Sequence, residues 1–261
     1  MQLDAPEPKF ELRQAKTEED VIAAQRLRYR VFIEELGGEG DLVDHDNRLE
    51  RDRYDPFFDH LVLFDRSKSG AAEDSAVGVY RVMSGEMAER AGGFYSEDEY
   101  DLSILKSSGR NLLELGRSCV DADYRGGTAM FHLWNGLAQY VANHSIDVLF
   151  GVASFHGTDV AAIADQLSYL HHNHLAPTDI RVRVRDDFYQ SMDLVPSDKV
   201  DRKSAMIGMP ALIKAYLRLG GFVGDGAFVD TRFNTIDACL IMDTEQMNQR
   251  YRAYYTREKS G

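Results

Sequence analysis

Two charged side chains interrupt an apolar run. Between Leu112 and Val120 the chain reads Leu-Leu-Glu-Leu-Gly-Arg-Ser-Cys-Val, a buried-strand pattern broken by Glu114 and Arg117. A charge inside a buried strand is expensive unless paired, so such a position is a candidate for chemistry as well as for a structural ion pair. A carboxylate there can take a proton from an attacking nucleophile. Just downstream, Arg125-Gly126-Gly127-Thr128 leads into a helical pattern beginning near Thr128. A glycine-rich turn opening a helix bares backbone N–H groups at a positive helix end, which suits phosphate. A plain helix cap with an ion pair is the alternative reading of the same residues.

The elements that must position these groups follow from periodicity. Phe10 to Ala15 reads as a first strand, and Thr17-Glu-Glu-Asp20 as a capping box. The helix after it places Val21, Leu27, Val31 and Phe32 near one face and stops at Gly37-Gly38, with Arg26, Arg28 and Arg30 read as a solvated face. His60 to Phe64 and Ala76 to Met83 read as strands; Arg81 inside the second is expected at an edge or in a surface pair. A helix over 128–143 leads to an apolar strand from Asp147 to Ser154, then a helix from Val160 to Leu170. Further on come a helix over Ala211 to Leu219 bracketed by Pro210 and Gly220-Gly221, a strand or hairpin within Ala227 to Met242, and a final helix from Glu245 to Tyr255.

Three other clusters carry charge. Gly38 to Asp59 is acidic and irregular, either a surface loop or a lid whose carboxylates meet a cationic substrate. Ile180 to Arg185 alternates, with Arg181, Arg183 and Arg185 on one face and Val182 and Val184 on the other, either an exposed sheet face or a dock for phosphate or an acidic partner. His171, His172 and His174 are oddly spaced for zinc and have no nearby cysteine or carboxylate partner, so no metal is expected.

With 261 residues, 44% hydrophobic, the chain can build one large core, and signals of both periods favour α/β or α+β. A formal charge of −13 demotes nucleic-acid binding. Cys119 and Cys239 lie far apart without ligand spacing and read as buried free thiols of a reducing compartment. Met1 to Lys9 lacks an apolar core of the signal-peptide kind, and no apolar run spans a membrane. The expectation is one domain over 1–261, with 196–261 as a C-terminal extension packed on it.

Taken together, the order helix, strand, strand, Glu-x-x-Arg strand, glycine turn, helix, strand resembles the GNAT acyltransferase fold, a central mixed, twisted sheet flanked by helices. It is similar to the branch shared by acyl-homoserine-lactone synthases and ornithine-lipid Nα-acyltransferases. The matching residues are Arg28-Tyr-Arg-Val31-Phe32, Asp52-Arg-Tyr-Asp55, Arg81 and Glu114-Leu-Gly-Arg117. The tryptophan those synthases carry after the first helix is absent, with Gly38 near its place. The ornithine-lipid branch matches better, through Glu-Leu-Gly-Arg-Ser-Cys-Val, Tyr-Arg-Gly-Gly, the run Pro210 to Gly220, and Phe233-Asn234 with Asp237. The usual phosphate loop, Arg/Gln-x-x-Gly-x-Gly/Ala, is altered here, with Thr128 and Met130 where small residues stand.

The resemblance implies transfer of a (3-hydroxy)fatty acyl group from acyl carrier protein to the α-amine of ornithine, with the phosphopantetheine thioester as co-substrate and no other cofactor. It implies Glu114 as base or water-mediated relay and Arg117 as the group orienting it. Arg28, Phe32, Asp52, Asp55 and Arg81 would bind the amino acid or hold the lid. Arg125, Gly126, Gly127 and Thr128 would bind phosphopantetheine, and Arg181, Arg183 and Arg185 would dock the carrier. The location implied is the cytoplasm, with a peripheral inner-membrane contact through the helix Ala211 to Leu219 weighed against plain core packing. Alternatives are another acceptor such as glutamine, a homoserine-lactone-synthase-like reaction, coenzyme A-dependent N-acetylation, and a non-catalytic module binding acyl carrier protein or membrane.

Overall fold

The computed structural model describes residues 8–68 and 74–246. The expected final helix from Glu245 to Tyr255 lies outside them from residue 247 on, as do residues 1–7 of the N-terminal reading. The chain forms two compact units, Met1–Met83 with Leu115–Ser145, and Ser84–Glu114 with Ile146–Gly261. Strand β5 (Leu112–Val120) is divided between them, residues 115–120 in the first and 112–114 in the second.

In the first unit, β1 (Phe10–Gln14), β2 (Asp59–Asp65) and β3 (Ala76–Ser84) form an antiparallel ladder continued by β5. Helix α1 (Glu18–Arg28) starts where Thr17 accepts a hydrogen bond from the Asp20 N–H, as the capping pattern predicts. It runs on as a wider π-wound segment, Tyr29–Glu35. Ala23, Ala24, Leu27 and Val31 then pack on Val62, Phe64, Val79 and Cys119, with Phe32 half-buried against the same cluster. Arg81 is not at an edge: β3 lies between β2 and β5, is buried along nearly its whole length, and leaves Arg81 0% exposed.

After β3, the chain passes through α2 (Gly85–Ala91), β4 (Tyr100–Asp101) and α3 (Ser103–Lys106), all in the second unit, before returning along β5. Helix α4 (Ala129–Asn143) closes the first unit. Its Gly136 allows a close approach to β1, because a Cβ there would lie 1.8 Å from the Leu12 Cδ2.

In the second unit, residues 112–114 of β5 pair parallel with β6 (Val148–His156), from Leu112 opposite Val148 to Glu114 opposite Phe150. Helix α5 (Ala164–His174) follows. Strand β7 covers only Arg183–Val184 and pairs with β4, shorter than the expected six-residue strand. The alternation survives as burial, with Val182 and Val184 inside and Arg183 and Arg185 exposed. The chain then forms α6 (Arg202–Gly208), α7 (Ala211–Arg218), β8 (Phe222–Val223) and a hairpin of β9 (Phe228–Asp230) and β10 (Thr235–Asp243). The segment expected as an extension supplies an interior strand: β10 pairs antiparallel with β6 over nine residues, from Thr235 opposite His156 to Asp243 opposite Val148. The sheet is therefore mixed, and no described helix is long and apolar enough to cross a membrane.

Candidate active site

The first unit holds an ionic network on four separate segments. Arg28, at the end of α1, sends both Nη atoms to Asp55, at 2.9 and 2.7 Å, and its Nε lies 2.6 Å from Glu50. Arg81 on β3 grips Asp52 through two contacts of 2.8 Å and reaches Asp55 at 2.6 Å, with its guanidinium stacked 4.1 Å from the centre of the Phe58 ring. Arg117 on β5 donates to Glu50 at 3.1 Å and Asp52 at 3.3 Å. Asp52 caps the turn that follows it, accepting from the N–H groups of Tyr54 and Asp55. Gln25 adds a hydrogen bond to Asp55.

Arg28 is thus no solvated-face residue. It is 0% exposed, because its partners come from a loop more than twenty residues away. Burial alone would lower the Arg28 pKa, but the carboxylates of Glu50 and Asp55 more than offset this and raise it. For Glu50, Asp52 and Asp55 burial opposes ionisation, yet the neighbouring guanidinium groups hold all three carboxyls below their ordinary range. Burial and the charge of Arg28 push His60 down to about 4, so it is neutral at physiological pH. The acidic loop is therefore tied down by arginines, which hold its carboxylates Asp52 and Asp55. Within the network the most accessible side chains are Asp52, at 19%, and Arg117, at 12%. Arg117 takes a positive φ of 49° in mid-strand, a strained conformation for a non-glycine residue.

The glycine turn lies beyond a short 3₁₀ turn, Ala122–Tyr124. Gly126 has a φ of 78°, which glycine supplies without strain. The Arg125 side chain pairs with Glu35 and the Val120 carbonyl. Tyr124 is fixed by donating to Asp65 at 2.7 Å. Asp65 also accepts from Ser67 and from the Lys9 N–H; burial opposes its ionisation, but these bonds outweigh it and bring its carboxyl down to about 2. A folded-state pKa below the unfolded value gives stability that is complete above about pH 4 and lost as the pH falls towards 2. Asp65→Asn is therefore expected to cost about 1 kcal/mol at neutral pH and to flatten the acid limb of stability over that window, read by urea melts at several pH values.

In the second unit, Glu114 is 1% exposed, and its carboxylate is oriented by a turn the sequence reading did not single out. Oε2 accepts from the Tyr95 N–H at 2.8 Å, and Oε1 accepts from the Ser96 N–H at 2.6 Å and from the Ser96 hydroxyl. Tyr95 and Ser96 donate to Glu114, and Arg117 donates to Glu50 and Asp52. Arg181 donates to the Ala176 carbonyl, Arg183 pairs with Asp225 at 2.6 Å and stacks on Tyr189, and Arg185 reaches the Glu97 carbonyl at 3.4 Å. Arg183, Arg185 and Lys106 line an open groove together with Glu97, Asp101 and Asp186. The reading missed Glu50 and Ser96. The one signal for Glu50 is that it shares a short acidic stretch with Asp52 and Asp55; Ser96 had none.

Residues 27–135 match the family described as acetyltransferase (GNAT) domain. The chain is 56% identical over 252 residues to an L-ornithine N(alpha)-acyltransferase of Rhodobacter capsulatus, covering 97% of this chain and 96% of that protein. It is 46% identical over 251 residues to one of Brucella abortus, covering 95% and 89%. Among solved structures it resembles FeeM, an N-acyl amino acid synthase from uncultured soil microbes, with a TM-score of 0.54 at 12% identity over 93% of this chain and 95% of that one, a likeness of fold alone.

Proposed function

Because the chain belongs to the L-ornithine Nα-acyltransferases, a branch of the GNAT-fold enzymes, we infer that it moves a fatty or 3-hydroxy fatty acyl group from the thioester of acyl carrier protein to the α-amine of ornithine. The observation that carries this is near-full-length identity to relatives named for that acceptor. Glu114, an anchored carboxylate on an apolar strand, takes the amine proton directly or through a water. The nitrogen lone pair attacks the thioester carbonyl, the C–N bond forms, the C–S bond breaks, and the thiolate leaves to be protonated. The balance is thioester plus amine to amide plus thiol. Arg28, Arg81 and Asp55 brace the acidic loop; Asp52 and Arg117, the accessible pair, meet the amino acid, and Phe32, half-buried on the continuation of α1, is a further substrate contact.

Backbone N–H groups of Gly126, Gly127 and Thr128, with Arg125 beside them, take the single phosphate of phosphopantetheine. The altered loop favours the carrier over coenzyme A, whose pyrophosphate asks for a fuller cradle. The acidic carrier meets Arg185, with Arg181 and Arg183 beside it, because a local basic patch is needed where the net charge repels it.

The test is an assay with acyl carrier protein and coenzyme A thioesters against a panel of amino acids, with products read by mass spectrometry. Acyl-ornithine from the carrier is expected; glutamine as the preferred acceptor, or equal use of acyl-coenzyme A, overturns the corresponding part. Arg185→Glu is expected to raise the KM for the acyl carrier and weaken its salt dependence while leaving kcat in place. An unchanged KM puts docking elsewhere.

A further inference from the structure

Between Lys199 and Gly224 the chain carries five cations, Lys199, Arg202, Lys203, Lys214 and Arg218, and a single carboxylate, Asp201, with Asp198 just before. In a chain of formal charge −13 this is a local reversal of sign. Many arginines elsewhere are taken by carboxylates, as at Arg28, Arg66, Arg81, Arg117, Arg125 and Arg183. None of these five makes an ion pair among the described residues; Arg202 lies 5.7 Å from the Tyr169 ring and near His174. Asp201 is occupied as the α6 cap, accepting from the N–H groups of Lys203 and Ser204 at 3.0 Å.

The same segment exposes an apolar point. Ile207 is 71% exposed, more than any other large hydrophobic among the described residues, and stands one helical turn from Lys203 on the same face of α6. The support beneath is rigid: Ala205 and Met209 are buried, and a Cβ on Gly208 would lie 2.3 Å from Gln166 of α5. On α7, Ile213, Tyr216 and Leu217 are buried and Leu212 is half-buried, with Lys214 and Arg218 spaced at i, i+4.

We propose that α6 and α7 form a docking surface for an anionic bilayer, with Ile207 entering the headgroup boundary and the five cations meeting lipid phosphates. A protruding apolar side chain one turn from Lys203, on a segment rich in unpaired cations, matches such a surface in charge and polarity. The proposal does not depend on the acyl donor.

Flotation of the full chain with vesicles of phosphatidylglycerol and phosphatidylcholine in equal parts tests it, against phosphatidylcholine alone. Binding to the anionic vesicles is expected at low salt and its loss at high salt. Arg202→Glu with Lys203→Glu, and separately Lys214→Glu with Arg218→Glu, are each expected to lower partitioning by about tenfold or more, and Ile207→Ser to lower it at unchanged charge. Circular dichroism and solution turnover are expected to stay at wild-type values. No flotation at low salt, or flotation indifferent to these substitutions, overturns the proposal. So does a pattern in which the reversed variants float normally but raise the KM for the acyl carrier, which assigns the surface to an acidic protein.

Discussion

Arg28→Met is expected to unfold the protein about 3–5 kcal/mol more easily, because it leaves Glu50 and Asp55 buried against an apolar side chain. Arg28 is 0% exposed and contacts two carboxylates and a backbone carbonyl, so no water replaces it. The measurement is urea unfolding, where the midpoint falls with an unchanged slope. Pairing the change with Asp55→Asn should recover part of the loss, since the second substitution removes one of the stranded charges. A loss below about 1 kcal/mol, the level of an exposed pair, would mean the network is hydrated in solution.

Glu114→Gln is expected to cut turnover by about 10²-fold or more while the fold survives. Glutamine keeps one oxygen for the Ser96 N–H and hydroxyl, so the turn at 95–96 retains most of its hold. Ser96→Ala separates anchoring from chemistry. It removes a hydroxyl donor from Glu114 without removing the carboxylate, and should lower the melting temperature more than it lowers kcat. The acid limb of the pH–kcat/KM profile belongs to the base, so it should vanish in Glu114→Gln and persist in Ser96→Ala. A folded Glu114→Gln that keeps most of its activity would reduce Glu114 to a clamp on that turn.

The organising strand, its glycine turn and the helix after it were legible because their signals are local: an apolar run, a turn glycine, a 3.6-residue period. Thr17 as a cap was legible for the same reason. The burial of Arg28 and Arg81 was not. A charged residue on a helix or strand reads as exposed unless its partners are known, and here they arrive from 49–57, a loop with no period to place it. The family resemblance marked Arg28, Asp52, Asp55, Arg81 and Arg117 as a set without saying that they bind one another. The alternation at 181–185 reported burial faithfully but overstated the strand, which pairs with β4 over two residues and bridges to Asp225 at Arg183.

The shared carboxylates have a consequence for how this sequence can drift. Asp55 serves Arg28 and Arg81, Asp52 serves Arg81 and Arg117, and Glu50 serves Arg117 and Arg28, so the three acids and three arginines close a ring of mutual dependence. Any one replacement leaves an odd charge inside, and a second replacement elsewhere in the ring compensates only part of it. Stepwise substitution must cross an unstable intermediate, so the ring is inherited or abandoned nearly as a block. A variant lineage can change most readily at residues outside the ring, leaving these six positions as a fixed frame.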